Sequence, residues 1–336
     1  MSDSRPGLNH QRLVNLIRQS IQGCDLRLQN LQVLTEAATG AYVVTPVIAA
    51  MAGAAKVFAV VQASRYGSVE EVKALTQGLA ELAGVSDRIE LITEKPQAIV
   101  AQVDLVTNSG HVRPLNAELI NWMKATTVIG LMYEAWEFRP EDLDLAACRQ
   151  RGIQVAGVNE RHPDVDVFSF LGVMAVKLLL DAGISVYTSR ILLLCDNPFS
   201  GFIERGLVSA GASVDLVDSL AAAAPDNDYD AILVALHPQA KPVLSGADAV
   251  AIAKHWPGAV VAQYWGDLDR PAFVAQGIPL WPEAEPKPGH MGILPSGVGP
   301  EPIIRLQTGG LKAAAVAWQQ QQSPQPPDEL DYLQLL

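Results

Sequence analysis

Short apolar segments alternate with helical ones almost without a break between residues 30 and 158, and no other feature restricts the fold of this 336-residue chain as tightly. LQVLTEA, KVFAVVQ, RIELITE, DLVTNSG, TTVIGLMYEAW and IQVAGV read as strands. TPVIAAMAGAA, VEEVKALTQGLAELAG, PQAIVAQ, NAELINWMK and EDLDLAACRQRG read as the helices between them. The second of these is stopped by its glycine and the fourth is opened by an Asn cap. Strands covered on both faces by crossover helices are apolar along their whole length, as these are. The rhythm predicts a parallel, doubly wound sheet. A surface helix, HQRLVNLIRQSIQG, precedes it, with Leu13, Leu16, Ile17 and Ile21 at helical spacing.

A long apolar helix is expected over VDVFSFLGVMAVKLLLDAG, Val165 to Gly183, and then the alternation restarts. DAILVALHP and AVVAQYWG are strands around the helix GADAVAIAKHW, and IPLWPE is a short strand. GHMGILPSGVGPEP is a loop, EPIIRLQTGGLKAAAVAWQQQQ a final helix, and SPQPPDELDYLQLL a loosely structured tail. The expected fold is therefore α/β: two doubly wound Rossmann-like domains with parallel sheets and a cleft between them. Residues 1–163 with 300–325 form one domain, 164–299 the other, and 326–336 the tail.

The net charge of −12, with no basic stripe, argues against a nucleic-acid partner and disfavours anionic membranes. Cys24, Cys148 and Cys195 have neither CxxC nor Cys/His spacing, which argues against a disulfide framework or a metal centre. No leader pattern or membrane-length apolar run is present, so the expected location is cytoplasmic and the expected partner a small molecule.

RILLLCDNPFSGFIERGLVSAGASVDLVDS, residues 190–219, has the strand–turn–helix–strand layout of a dinucleotide-binding unit. Its turn departs from G-x-G-x-x-G. With Gly201 as third glycine, Asp196 and Pro198 fill the first two places; one residue earlier the three are Cys195, Asn197 and Ser200. Ser200 and Gly201 stand where a helix start offers N–H groups to an anion. Asp218 closes the second strand, where an acid accepts ribose hydroxyls. His237 ends a later strand and is placed to face a cofactor.

NAELINWMKATTVIGLMYEAWEFRPEDLDLAACRQRGIQVAGVNE resembles the end of the first domain of D-2-hydroxyacid dehydrogenases, the family of the formate and glycerate dehydrogenases. Asp142 to Cys148 and Arg151 to Val155 carry the likeness, and VDVFSFLGVMAVKLLL looks like that family's interdomain helix. The resemblance covers about residues 105–240 and, more weakly, 241–315. It implies that the NAD or NADP domain begins near Arg190, with Asn197, Ser200, Gly201, Asp218 and His237 about the cofactor. It implies an acid/base histidine at His290, in PKPGHMGILPS, oriented by Glu283 or Glu285. Tyr264-Trp265-Gly266 stands where the family's Ala-Arg-Gly would be, and Arg270 is the candidate substitute for its substrate-binding arginine. The resemblance also implies that the last helix packs on the first domain, and a homodimer.

The first half has its own signal. LTEAATGAYVVTPVIAAMAGAAKVFAVVQASRYGS is a strand-turn-helix-strand unit with Thr39-Gly40 in the turn. Arg65 follows the second strand, where a guanidinium can hold the 2′-phosphate of NADP; an S-adenosylmethionine site has the same layout. As a substrate domain, this half would use its strand-end loops, which carry Thr39, Tyr42, Arg65, Asn108, Ser109, His111, Arg113, Glu134, Trp136 and Arg139. Three readings stand: an NAD(P)-dependent oxidoreductase for a small polar hydroxy or oxo compound; a non-catalytic nucleotide- or sugar-binding protein; and a transferase or lyase using the first-half site.

Overall fold

The structure is a computed structural model that describes residues 5–323 and 329–336. Its elements run α1 (His10–Gly23), β1 (Gln32–Glu36), α2 (Thr45–Met51), β2 (Lys56–Val60), α3 (Val69–Ala83), β3 (Ile89–Ile92), α4 (Gln97–Val100), β4 (Leu105–Asn108), α5 (Ala117–Trp122), β5 (Val128–Leu131), α6 (Leu145–Arg151) and β6 (Gln154–Val158). Then follow α7 (Phe170–Asp181), β7 (Arg190–Leu194), α8 (Ser200–Ser209), β8 (Ser213–Val217), β9 (Ala231–Ala235), α9 (Gly246–His255), β10 (Val260–Trp265), α10 (Arg270–Ala275), β11 (Leu280–Trp281), α11 (Glu301–Gln322) and β12 (Leu333–Leu335).

The chain forms two compact units, Met1–Val167 with Gly299–Leu336, and Phe168–Val298. In the first unit the sheet order is β12-β6-β5-β4-β1-β2-β3, all parallel except the antiparallel β12. In the second it is β11-β10-β9-β7-β8, all parallel. Both are the doubly wound α/β sheets expected from the alternation. Among the described residues, no helix is long and apolar enough to cross a membrane.

Local chemistry sets the boundaries. The Asn116 side chain caps α5 by accepting from Leu119 N, and Gly84 ends α3 with a left-handed φ of +72°. The long α11 buries Pro302–Ile304 and Gln307–Ala317 in the first unit, where it packs on β5 and β6. Its buried Gln307 accepts from the Thr45 hydroxyl at 3.0 Å.

Two expectations are corrected. The helix expected from Val165 starts at Phe170. Asp166 is left-handed (φ +44°), Val167 N donates to Glu160 O, and Val165 and Val167 pack with Val158 and Ala313 rather than along a helix face. The tail is not loose where it is described; its residues 326–328 lie outside the described residues. Leu333–Leu335 pairs with β6, Asn159 Nδ2 donates to Asp331 O, and Tyr332 is buried and stacked on His162. The exposed edge of β6 offers unpaired backbone groups, and β12 satisfies them.

Candidate functional site

In the first unit the strand order reverses between β1 and β4, so the loops after these strands leave toward opposite faces and open a crevice at their C-terminal ends. Glu36 ends β1 and is buried, its carboxylate accepting from His111 N at 3.3 Å. Burial raises its pKa, against the nearby Arg113 and the His111 amide. Gly110 has φ +33°, and a Cβ built on it would fall on the Glu36 carboxylate, so the buried acid at 36 requires glycine at 110.

Asn108 ends β4. Its Nδ2 donates to the Tyr133 hydroxyl at 2.7 Å; that hydroxyl faces Asp142 Oδ2 at 3.5 Å, and Arg113 Nη1 donates to the same oxygen at 2.8 Å. Tyr133 has one proton, and the Asp142 carboxylate can only accept it, so the phenol oxygen takes the Asn108 amide proton. Asn108 Oδ1 is left buried with no partner, an acceptor suited to a ligand O–H or N–H. Thr107 Oγ1 bonds both Thr35 Oγ1 and Ser109 Oγ at 2.8 Å, which fixes the floor of the crevice.

The loops after β1 and β2 meet beside it. Gly40 (φ +61°) opens a turn that no side chain caps, and Thr39 Oγ1 donates to Tyr66 O at 3.4 Å. Tyr42 is half-buried in the same turn. The Arg65 guanidinium lies 4.7 Å from the Tyr66 ring centroid and bonds its hydroxyl, and both residues are exposed.

Past β5 and β6 sits a group of acids. Glu134 is buried and accepts from Trp136 Nε1 (2.5 Å) and Glu160 N (3.2 Å), with Arg161 Nε at 3.4 Å. The neighbouring Ala135 N donates to Gln334 Oε1 of β12 at 2.8 Å. Burial pushes Glu137 up to about 7, and Glu160 is raised well above the usual carboxylate range by burial and by Glu137 and Glu134. Glu36, Tyr133, Glu137, Asp142 and Glu160 are not among the site residues expected from the sequence. A lone acid ending an apolar strand, as at Glu36, is the signal that would have found the first.

In the second unit the order reverses at β7 and β9. There the chain's own groups bind the edge. Asn197 Nδ2 donates to Ala235 O (2.6 Å) and His237 N donates to Asp196 Oδ1 (2.8 Å). Of the two amides assigned to an anion, Ser200 N donates to Asn197 O (3.2 Å), and the preceding Phe199 N donates to Asn197 Oδ1 (3.1 Å). Phe199 is buried between Phe168 and Trp265. Gly201 and Asp218 are exposed, and the His237 ring meets Trp265 edge-on at 5.2 Å.

Arg270 is buried and donates to Gln263 Oε1 (3.0 Å), Pro282 O (2.7 Å) and Glu283 O (3.1 Å). That use of the guanidinium, bracing the chain after β11, differs from pairing with a substrate carboxylate. Glu283, Glu285 and His290 are all exposed. The His290 loop is anchored through Gly289, which accepts from Trp265 Nε1 and donates to Asp267, both at 3.1 Å. His237, Trp265 and His290 thus share the C-terminal edge of the second sheet, while Thr39, Tyr42, Arg65, Asn108, Ser109, Arg113, Glu134 and Trp136 share that of the first.

No protein-family model matches the chain, and no curated protein matches it in sequence. Solved structures do. The dipicolinate synthase chain from Bacillus subtilis is 13% identical with a TM-score of 0.57, over 88% of this chain and 99% of that one. Its counterpart from Bacillus halodurans, also a dipicolinate synthase chain, is 13% identical with a TM-score of 0.53, over 84% and 96%. D-2-hydroxyisocaproate dehydrogenase is 15% identical with a TM-score of 0.39, over 73% and 74%. At these identities the likeness is one of fold, a two-unit Rossmann-like α/β architecture.

Proposed function

We propose that the chain is an NAD(P)-dependent oxidoreductase for a small polar hydroxy or oxo compound, and that the first unit holds the dinucleotide at its β1/β4 edge. The observation that carries this is the strand order. β3-β2-β1-β4-β5-β6 is the arrangement in which dinucleotides bind across the reversal point, with the pyrophosphate at the turn after β1. The turn after β1, which the Thr39 side chain does not cap, lies at that edge. In the second unit Asn197 already holds the equivalent turn. Asn108 Oδ1, Ser109 and Arg113 at the same edge supply acceptors and a cation for the reacting molecule. A homodimer is part of the same reading.

A nucleotide- or sugar-binding protein without hydride chemistry is the second reading, favoured by the engagement of the Arg270 guanidinium with backbone carbonyls. Thermal unfolding with NADH, NADPH and S-adenosylmethionine separates the readings. A nicotinamide dinucleotide at a hundredfold excess over its Kd is expected to stabilise the protein by about 2.7 kcal/mol. Oxidation of the reduced form by one of a panel of 2-oxo acids is expected to follow. No shift with either dinucleotide overturns the proposal; a shift without turnover across the panel favours the second reading; a shift with S-adenosylmethionine alone favours a transferase.

A further inference from the structure

The geometry points to a dinucleotide that carries an additional phosphate on its adenosine ribose, NADP rather than NAD, selected by Arg65. This rests on the siting of the cofactor in the first unit. In an NAD site the strand next to the reversal ends on an acid that takes the ribose hydroxyls and repels a phosphate there. In the first unit that strand is β2, and the segment after it, Val61-Gln62-Ala63-Ser64-Arg65-Tyr66-Gly67, contains no carboxylate. It contains one cation, exposed, on a loop whose shape is fixed.

Ser64 and Gly67 exchange backbone hydrogen bonds (3.0 and 3.3 Å), Tyr66 N donates to Ser64 Oγ (3.1 Å), and Thr39 ties Tyr66 O to the turn after β1. The Tyr66 ring lies under the guanidinium on one side, and the residue is 54% exposed, so its other face is offered to an adenine. The carboxylate that approaches this loop, Glu71, accepts from Ser68 N at 2.8 Å and completes the capping box of α3. It is held there, four residues past Gly67. The guanidinium fork matches two phosphate oxygens, whereas a ribose hydroxyl uses neither its charge nor its geometry. The second unit has the opposite chemistry, with the acid Asp218 just past β8. The preferred cofactor therefore reports which unit binds it.

The test is titration of the intact protein with NADPH and NADH, and with 2′,5′-ADP against 5′-AMP, which present the ribose phosphate without the nicotinamide end. The wild type is expected to favour the phosphorylated partner of each pair. Arg65→Ala is expected to weaken NADPH and 2′,5′-ADP by about 10- to 100-fold, the loss of a charged hydrogen-bonded pair, and to change NADH by less than about 3-fold. Arg65→Lys, which keeps charge but loses the fork, falls between. The unfolding temperature of each variant without ligand reports whether it is folded. Preference for NADH, relieved by Asp218→Asn, overturns the inference and moves the cofactor to the second unit. Preference for NADPH unchanged in Arg65→Ala overturns the role of Arg65 alone. Binding of neither dinucleotide overturns the functional proposal beneath it.

Discussion

Gly110→Ala is expected to destabilise the first unit by about 4 kcal/mol and to lower its unfolding temperature by roughly 10 °C. Two costs combine. A side chain at φ +33° is strained by about 1 kcal/mol or more wherever it is placed, and this Cβ also falls on the carboxylate of a buried residue. Glu36 cannot swing aside cheaply, because it is itself only 6% exposed. Moving it also breaks its hydrogen bond with His111 N. Glu36→Ala alone removes a buried acid whose ionisation burial already opposes, so its own cost is expected to be small. Glu36→Ala with Gly110→Ala then recovers the steric part and keeps the backbone strain, a coupling of about 2–3 kcal/mol in a double-mutant cycle. Urea unfolding of the four proteins measures it. Simple additivity would mean that the two residues do not share the crevice. Because both line the proposed nucleotide edge, the single Gly110 variant is also expected to weaken dinucleotide binding.

The alternation of apolar strands and helices was legible because period and segment length are local properties. The Asn116 cap, the Gly84 stop and the parallel doubly wound sheets follow from it directly. Strand order was not, and it bears most on function: nothing in KVFAVVQ or DLVTNSG says that β1 lies between β2 and β4. The turn Cys195 to Gly201 was read correctly as a strand-to-helix turn. Yet the fate of its polar groups depended on Ala235 and His237, some forty residues on, which occupy Asn197 and Asp196. Arg270 looked available because its partners are carbonyls, which no side-chain pattern announces. Glu160, in the polar run NERHPD, reads as a surface charge. It is only 7% exposed because its environment is built by Glu134 and Glu137 from the end of β5, which become its neighbours only on folding.

That burial gives the protein an expected pH dependence of its own. Glu137 and Glu160 hold protons in the folded state at pH values where the unfolded chain, with ordinary carboxylates near pKa ~4.3, has released them. Their contribution is therefore fully present below the unfolded pKa and is lost as pH rises through the folded value, about 7 for Glu137. At ~1.4 kcal/mol per pKa unit, the Glu137 shift alone is expected to lower stability by about 3 kcal/mol between pH 4.5 and pH 7.5. Glu160→Gln keeps the shape of the protonated acid and cannot ionise. It is expected to match the wild type near pH 5, to exceed it at pH 8, and to unfold with a shallower pH slope, measured by urea denaturation across the range. An unchanged slope together with lower stability at pH 8 would mean that Glu160 is ionised and paired in the folded protein, and Arg161 would be the cation to test next. The difference matters for chemistry as well as stability. A carboxyl that keeps its proton near pH 7 can deliver it to the oxygen of a reduced oxo compound, and an ionised, paired one cannot.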